Sequence, residues 1–251
     1  MDALFPRPVT RVAPGAVHVP DWLDADRQRG LLAACREWAR PPAGLRSVTL
    51  RGGARMSVRQ VSLGRHWGPV DRCPSCALAT PHNAACPGRH SFPYAYGRTV
   101  FDGDGAPVKP FPAHLDALAQ EAVAAAYGPP GEAAPGDAEA ARDASGRSYD
   151  IALLNFYQAG ARMGMHRDED ERSPAPVVSV SLGDSCVFRF GNLEHRGRPW
   201  TDVTLRSGDL FVFGGPSRAA FHGVPRTEAH SAPAGLGLTG RLNLTLRVSG
   251  F

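Results

Sequence analysis

Ile151-Ala152-Leu153-Leu154-Asn155-Phe156-Tyr157-Gln158-Ala159-Gly160-Ala161-Arg162-Met163-Gly164-Met165-His166-Arg167-Asp168-Glu169-Asp170 decides how this chain is read. It opens as an apolar, strand-like run, passes a glycine-containing turn and closes in a burst of charge. Within that burst, His166-x-Asp168 places two metal-capable side chains one residue apart. In extended backbone, positions i and i+2 share a face, so imidazole and carboxylate can converge on one ion. Alone, the pair reads better as a solvated turn beside a satisfied histidine. A third ligand has to come from far along the chain. His222 is the candidate, in Ala220-Phe221-His222-Gly223-Val224 just after the strand-like Leu210-Phe211-Val212-Phe213.

Two histidines and one carboxylate, with positions left open on the metal, describe the facial triad of non-haem Fe(II) oxygenases. The end of the chain supports that chemistry. Arg241-Leu242-Asn243-Leu244-Thr245-Leu246-Arg247 alternates polar with apolar residues. Arg241, Asn243, Thr245 and Arg247 therefore share one face of a strand and the three leucines the other. Two guanidiniums and an amide on one face are donors suited to carboxylates.

Several short motifs, in order across residues 151–249, resemble the AlkB family of Fe(II)/2-oxoglutarate-dependent nucleic-acid dealkylases. They are Asn155-x-Tyr157, His166-x-Asp168-x-Asp170-Glu171, Ala175-Pro176-Val177-Val178-Ser179-Val180-Ser181-Leu182-Gly183, Phe188-x-Phe190-Gly191, Gly208-Asp209, Gly214-Gly215-x-Ser217-Arg218, Phe221-His222-Gly223 and Arg241-x-Asn243-Leu244-Thr245-x-Arg247. Each is weak alone, whereas the ordered set is specific. The earlier part of the chain resembles the family only in patches.

The resemblance implies a double-stranded β-helix (jelly-roll) core, mainly β with flanking helices, and an N-terminal α/β nucleotide-recognition lid. It implies Fe(II) on His166, Asp168 and His222, which would be both metal ligands and catalytic residues, with 2-oxoglutarate and O2 as co-substrates. Arg241, aided by Tyr157, would bind the distal carboxylate, and Asn155, Asn243 and Arg247 would attend the co-substrate beside the metal. Trp67 would stack on a flipped base opposite the ring of His166, and Tyr94 would contact phosphate or the lesion base. Asp170 would accept from an exocyclic amine, and Met56 and Ser57 would line the substrate wall. Glu171 reads as part of a solvated acidic turn. His195 or Arg196 falls where the family can place a basic nucleic-acid contact.

The implied activity is oxidative demethylation of 1-methyladenine- and 3-methylcytosine-type bases in DNA, with 2-oxoglutarate decarboxylated and formaldehyde released. Single-stranded DNA is the expected partner. RNA, duplex DNA, another alkylated substrate and a catalytically silent nucleic-acid-binding module are the alternatives.

Composition agrees with a globular chain. The 251 residues are 43% hydrophobic and 21% charged, enough to bury a sizeable core. No apolar run approaches the ~20 residues of a transmembrane helix, and the first residues lack a basic-then-apolar signal pattern. A cytoplasmic monomer is expected. The net charge of +4 is unevenly spread: Arg40, Arg46, Arg51, Arg55, Arg59, Arg65 and Arg72 cluster with one acid, Asp71. Such clustering is the footprint of phosphate contact, or else a solvated basic face.

Taken in order, residues 1–20 read as an irregular arm with a short strand at 16–19. Asp24 caps a helix to about Arg40, with Leu31, Leu32, Cys35 and Trp38 as its apolar stripe. Residues 48–58 read as a hairpin turning at Gly52-Gly53. Cys73-x2-Cys76, Cys86 and His90 have the spacing of a structural zinc site. His82 competes as a ligand, and a flexible insertion with reduced thiols is the other reading. A helix follows at about 113–127, then a mobile loop from Gly128 to Ser148. Strands are expected at about 151–158, 176–183, 186–190, 201–206, 209–213, 218–222 and 241–249. The division expected is a recognition part, 1–98, and a dioxygenase core, 99–251, acting as one functional domain.

Overall fold

The computed structural model describes residues 6–49, 55–69, 94–129 and 132–251. The N-terminal half contributes β1 (Thr10–Ala13), β2 (Ala16–Val19), α1 (Ala25–Trp38), β3 (Arg46–Thr49), β4 (Arg55–Leu63), β5 (His66–Pro69), β6 (Tyr94–Gly97), α2 (Ala113–Tyr127) and α3 (Pro135–Ala144). Then come β7 (Ile151–Tyr157), β8 (Met163–His166), β9 (Val177–Gly183), β10 (Ser185–Gly191), β11 (Trp200–Leu205), β12 (Leu210–Phe213), β13 (His222–Glu228) and β14 (Arg241–Arg247).

A large sheet runs β1-β2-β12-β9-β14-β7-β4-β3, a smaller one β11-β10-β13-β8, and β5 pairs with β6 as a separate ribbon. From β7 to β14 the chain supplies four strands to each of the first two sheets. This is the double-stranded β-helix expected. The N-terminal strands extend the large sheet at both edges, with β4 on β7 and β2 on β12.

Alternation along each central strand explains why the layers form. Leu242, Leu244 and Leu246 of β14, Val178, Val180 and Leu182 of β9, and Leu210 and Val212 of β12 all face one core. Leu115, Ala119, Ala122 and Val123 of α2 and Leu32 and Cys35 of α1 close that core from outside. The intervening residues point between the two sheets, where Phe188, Phe190, Phe211, Phe213 and Val177 form a second, aromatic core. Burial of these apolar faces, at about 25 cal/mol per Å², dominates the stability of such a sandwich. The carboxylate of Asp24 accepts from the Arg27 N–H and caps α1 as expected.

Four expectations need correction. The segment 128–148 is not a loop throughout: it contains α3, whose Ala140 and Ala144 enter the outer core. Its buried Asp137 accepts from the Gly15 N–H at 2.9 Å and from Arg11 Nε at 2.7 Å. These distant partners stabilise a segment whose composition resembles a linker. The strand expected at 218–222 is replaced by a 3-10 turn at Gly215–Ser217, and β13 begins only at His222. The N-terminal arm is partly ordered as β1, and β8 has no counterpart among the expected strands because its Met-Gly-Met sequence carries no strand pattern. The β3–β4 hairpin pairs Arg46 with Gln60 and Ser47 with Arg59. Its Gly52-Gly53 turn, and the candidate zinc ligands Cys73, Cys76, Cys86 and His90, lie outside the described residues. Among the described residues, no helix is long and apolar enough to cross a membrane.

Candidate active site

His166 closes β8 and His222 opens β13, and the two residues are directly paired across the small sheet. Asp168 lies two residues beyond β8. One ligand-capable atom from each of the three falls within 4.8 Å of the others. Each imidazole Nδ1 meets a backbone carbonyl, Gly164 O at 2.9 Å for His166 and Ala220 O at 3.0 Å for His222. A proton on each Nδ1 satisfies those contacts and leaves both Nε2 lone pairs for a metal.

Asp168 is buried. Its Oδ1 lies 2.8 Å from Arg247 Nη2, while Oδ2 has no hydrogen-bond partner among the described residues. That oxygen is 3.8 Å from His222 Nε2. Burial alone would raise the carboxyl pKa, but Arg247, His222 and His166 outweigh it and hold the group well below the usual carboxylate range. Burial, reinforced by the neighbouring His166, pushes His222 down to about 4, so its imidazole is neutral and ligand-ready at neutral pH. An orphaned carboxylate oxygen 3.8 Å from one imidazole nitrogen, with the second imidazole nitrogen 3.9 Å from the carboxylate's other oxygen, is unfavourable without a cation. The donor set fits a two-histidine, one-carboxylate Fe(II) centre.

The polar face of β14 forms the adjoining wall. Arg241 is 1% exposed, and its Nη2 donates to Ser181 Oγ at 3.1 Å. Its guanidinium lies over the Tyr157 ring, 5.8 Å from the centroid. Arg241 Nε and Nη1 have no partner among the described residues, so this buried cation is poised for an anion. Burial pushes the Tyr157 phenol pKa upward, which keeps its O–H as a donor. Beside them, amides cross three neighbouring strands. Gln60 Nε2 donates to Asn155 Oδ1 at 2.8 Å, Asn155 Nδ2 to Asn243 Oδ1 at 3.3 Å, and Asn243 Nδ2 to Ser179 Oγ at 2.8 Å. The pairings Gln60–Asn155 and Asn155–Asn243 set this relay in register.

These residues line one cavity of about 1020 Å³, together with Met56, Ser57, Trp67, Tyr94 and Asp170. Trp67 on β5 is 37% exposed, with its ring 5.5 Å from Tyr96 and 6.2 Å from Tyr94. Ser57 Oγ, on β4, donates to Arg162 O at 3.0 Å. Asp170 sits exposed at the rim, its pKa raised by partial burial and by Glu171 and Glu169. Arg55, Arg65, Arg162, Arg167 and Arg196 also reach the cavity, which gives it a basic mouth. His195 is held in the exposed loop after β10, where its Nδ1 accepts from the Gly197 N–H.

Two features were not anticipated. Glu171 is not solvated: its side chain is 0% exposed and is gripped by Arg218, Arg247 and Tyr96. Burial would raise its pKa, but Arg247 and the other donors lower it overall. His66 is buried beneath the ribbon, with Nε2 2.8 Å from Asp102 Oδ1 and Nδ1 2.8 Å from Arg46 Nη2. Burial, the largest influence, lowers its pKa despite Asp102. The partners of both residues are remote in sequence, so no local spacing pointed to them.

Comparison with known proteins agrees with this geometry. The model of the 2OG-Fe(II) oxygenase superfamily matches residues 15–247. A DNA N(6)-methyladenine demethylase of Arabidopsis thaliana, ALKBH1D, is 30% identical over 246 residues, covering 94% of this chain and 50% of that protein. The alpha-ketoglutarate-dependent dioxygenase AlkB homolog of Caulobacter vibrioides is 49% identical over 102 residues, covering 39% of this chain and 44% of that one. A solved structure of OsALKBH1 superposes with a TM-score of 0.71 at 29% identity, covering 96% of this chain and all of that one. The chain spans about half the length of the curated relatives it matches, or less. A His-Asp-His set built around the paired strands β8 and β13, a buried arginine on β14 with two nitrogens unpartnered among the described residues, and a family match across nearly the whole chain together place it in the 2OG-Fe(II) oxygenase superfamily, as a member of the AlkB family.

Proposed function

We propose that this chain oxidatively demethylates N-alkylated bases in single-stranded DNA, using Fe(II), 2-oxoglutarate and O2, as a direct-reversal repair enzyme. The observation carrying this reading is a single chamber lined by the His-Asp-His set, by the buried Arg241, whose Nε and Nη1 have no partner among the described residues, and by the exposed Trp67. Bound Fe(II) supplies the redox chemistry that couples decarboxylation of 2-oxoglutarate by O2 to hydroxylation of an N-methyl group. The N-hydroxymethyl product then releases formaldehyde and the unmodified base.

The chain's own residues bind, orient and exclude water. His166, Asp168 and His222 hold the metal. Arg241, with the Tyr157 hydroxyl nearby, pairs with the distal carboxylate. Asn155, Asn243 and Arg247 face the keto-acid end, and the amide relay from Gln60 fixes which way each amide points. Phe188 and Phe213 pack against the ring of His222 and exclude water from that side of it. The base has to leave its stack to enter. Trp67 and the His166 ring then bracket it, Tyr94 borders the entrance, Met56 and Ser57 form the side wall, and Asp170 accepts from the exocyclic amine. A cationic lesion such as 1-methyladenine or 3-methylcytosine gains from the aromatic faces and from Asp170.

RNA is the alternative substrate, because a tRNA demethylase of Schizosaccharomyces pombe, abh1, is 38% identical over 85 residues. Stacking on tryptophan and contact with arginine serve either nucleic acid. A catalytically silent binding module fits less well, because His166, Asp168, His222, Asn155, Tyr157, Arg241 and Arg247 supply each residue expected to hold metal and co-substrate.

The test is mass spectrometry of short DNA and RNA strands carrying one 1-methyladenine, incubated with Fe(II), 2-oxoglutarate, ascorbate and O2. Loss of one CH2 that requires 2-oxoglutarate and disappears in His166→Ala is expected, faster on DNA. Succinate formation with no loss from either strand would overturn the substrate, and a faster RNA reaction would overturn the preference.

A further inference from the structure

Glu171 is an enclosed carboxylate within hydrogen-bond reach of three donors, each with another task. Its Oε2 accepts from Arg218 Nη2 at 2.9 Å. Arg218 also donates from Nη1 to the backbone oxygen of Asp168 at 2.6 Å and from Nε to Ala175 O at 2.9 Å. Its Oε1 accepts from Arg247 Nη1 at 3.1 Å and from the Tyr96 hydroxyl. Arg247 reaches Asp168 Oδ1 with its other terminal nitrogen, Nη2, at 2.8 Å. One arginine thus fixes the main chain of Asp168, the other fixes its side chain, and Glu171 holds both.

The way Arg247 is shared matters for the metal. An arginine beside a carboxylate prefers the two-pronged fork, with two N–H groups on two oxygens. Such a fork on Asp168 would occupy both oxygens and compete with any cation for Oδ2. Here the bond from Nη1 to Glu171 holds the guanidinium in an orientation in which Nη2 reaches Oδ1, while Nε and Oδ2 make no hydrogen bond among the described residues. We infer that Glu171 is a positioning residue that diverts Arg247 from a two-pronged grip on Asp168 and so keeps Oδ2 available to the metal. Tyr96, whose ring lies 5.5 Å from Trp67, holds Glu171 from the ribbon side. The inference rests on the metal-binding role proposed above, but not on the identity of the substrate.

The test is a double-mutant cycle read as Mn(II) affinity, by the EPR signal of free Mn(II), on the full chain without co-substrate. Glu171→Gln, which keeps the shape and removes the charge, should weaken Mn(II) binding about tenfold to a hundredfold, the usual range for groups that orient metal ligands. In an Arg247→Met background, which cannot form the fork, Glu171→Gln should change the affinity by less than about threefold. A simply structural role would give the same loss in both backgrounds, and that result overturns the proposal. Thermal unfolding of each variant confirms that it is folded. If Glu171→Gln is not, Glu171→Ala enters the same cycle with the same expectation. Wild-type protein that binds no Mn(II) would overturn the metal reading itself. Wild-type binding with equal losses in both backgrounds would overturn only the role of Glu171.

Discussion

Replacing Arg241 with methionine should make the ligand-free protein more stable while removing its response to 2-oxoglutarate. Methionine keeps most of the length of the side chain and none of its charge. In the wild-type chain this guanidinium is buried and donates to Ser181 Oγ at 3.1 Å, while Nε and Nη1 have no partner among the described residues. A buried charge without a counter-charge costs several kcal/mol. Recovering even ~1–2 kcal/mol of that would raise the unfolding midpoint by about 2–8 °C in a chain of this size. Removing one partner of a buried ion pair costs about 3–5 kcal/mol, roughly two to three and a half decades in affinity for the dicarboxylate. Differential scanning fluorimetry with Mn(II), with and without 2-oxoglutarate, reads both effects. At about 100 times its Kd, 2-oxoglutarate should stabilise the wild type by about 2.7 kcal/mol, and the variant at the same concentration hardly at all. A variant that is less stable without ligand, yet keeps the wild-type response to 2-oxoglutarate, would refute the argument.

Three further outcomes follow from other parts of the structure. Asp209 is buried against Arg7 and His18; burial would raise its pKa, but His18, Arg7 and two backbone N–H groups pull it from 3.8 to about 2. Its contribution, about 2 kcal/mol for a shift of this size, is fully present above the unfolded value and lost as pH falls towards 2; Asp209→Asn should flatten that part of a urea-unfolding series, and an unchanged pH slope would contradict the assignment. A Cβ at Gly68 would lie 2.3 Å from His66 Nε2, so Gly68→Ala should displace the ribbon and weaken oligonucleotide binding while leaving the 2-oxoglutarate-dependent thermal shift intact; unchanged oligonucleotide affinity would count against the ribbon as a recognition element. Burial pushes the Cys35 thiol up to about 12, so peptide mapping should find it unalkylated by iodoacetamide in folded protein at pH 8 and labelled in urea; labelling without denaturant would show that α1 is not packed as described.

What could be read from the sequence followed from period and spacing. The two-residue alternation of β14 separated its polar from its apolar face, and that separation is the boundary between the active-site wall and the outer core. The His-x-Asp pair with a distant histidine identified the residues that the paired strands β8 and β13 bring together. What could not be read depended on partners remote in sequence. Glu171 looked like one more acid in a charged turn because its two arginines lie 47 and 76 residues away. The helix α3 looked like a linker because its anchor, Asp137, meets Arg11 and Gly15 more than a hundred residues earlier. His66 drew no notice beside Trp67, since Asp102 and Arg46 reach it only once β5 and β6 have folded against β4.

The geometry of β14 also bears on how such an enzyme could be given a different co-substrate. Leu242, Leu244 and Leu246 anchor the strand to the helices, and its backbone ladders with β7 and β9 hold its place in the sheet. The odd-numbered side chains are therefore presented on a foundation set by the leucines and the backbone ladders. Exchanging Arg241, Asn243 or Thr245 for residues suited to a shorter or uncharged keto acid alters the chamber without disturbing what keeps the sheet together. The strand separates acid selectivity from folding, one residue in two, and that is where a search for altered co-substrate use should begin.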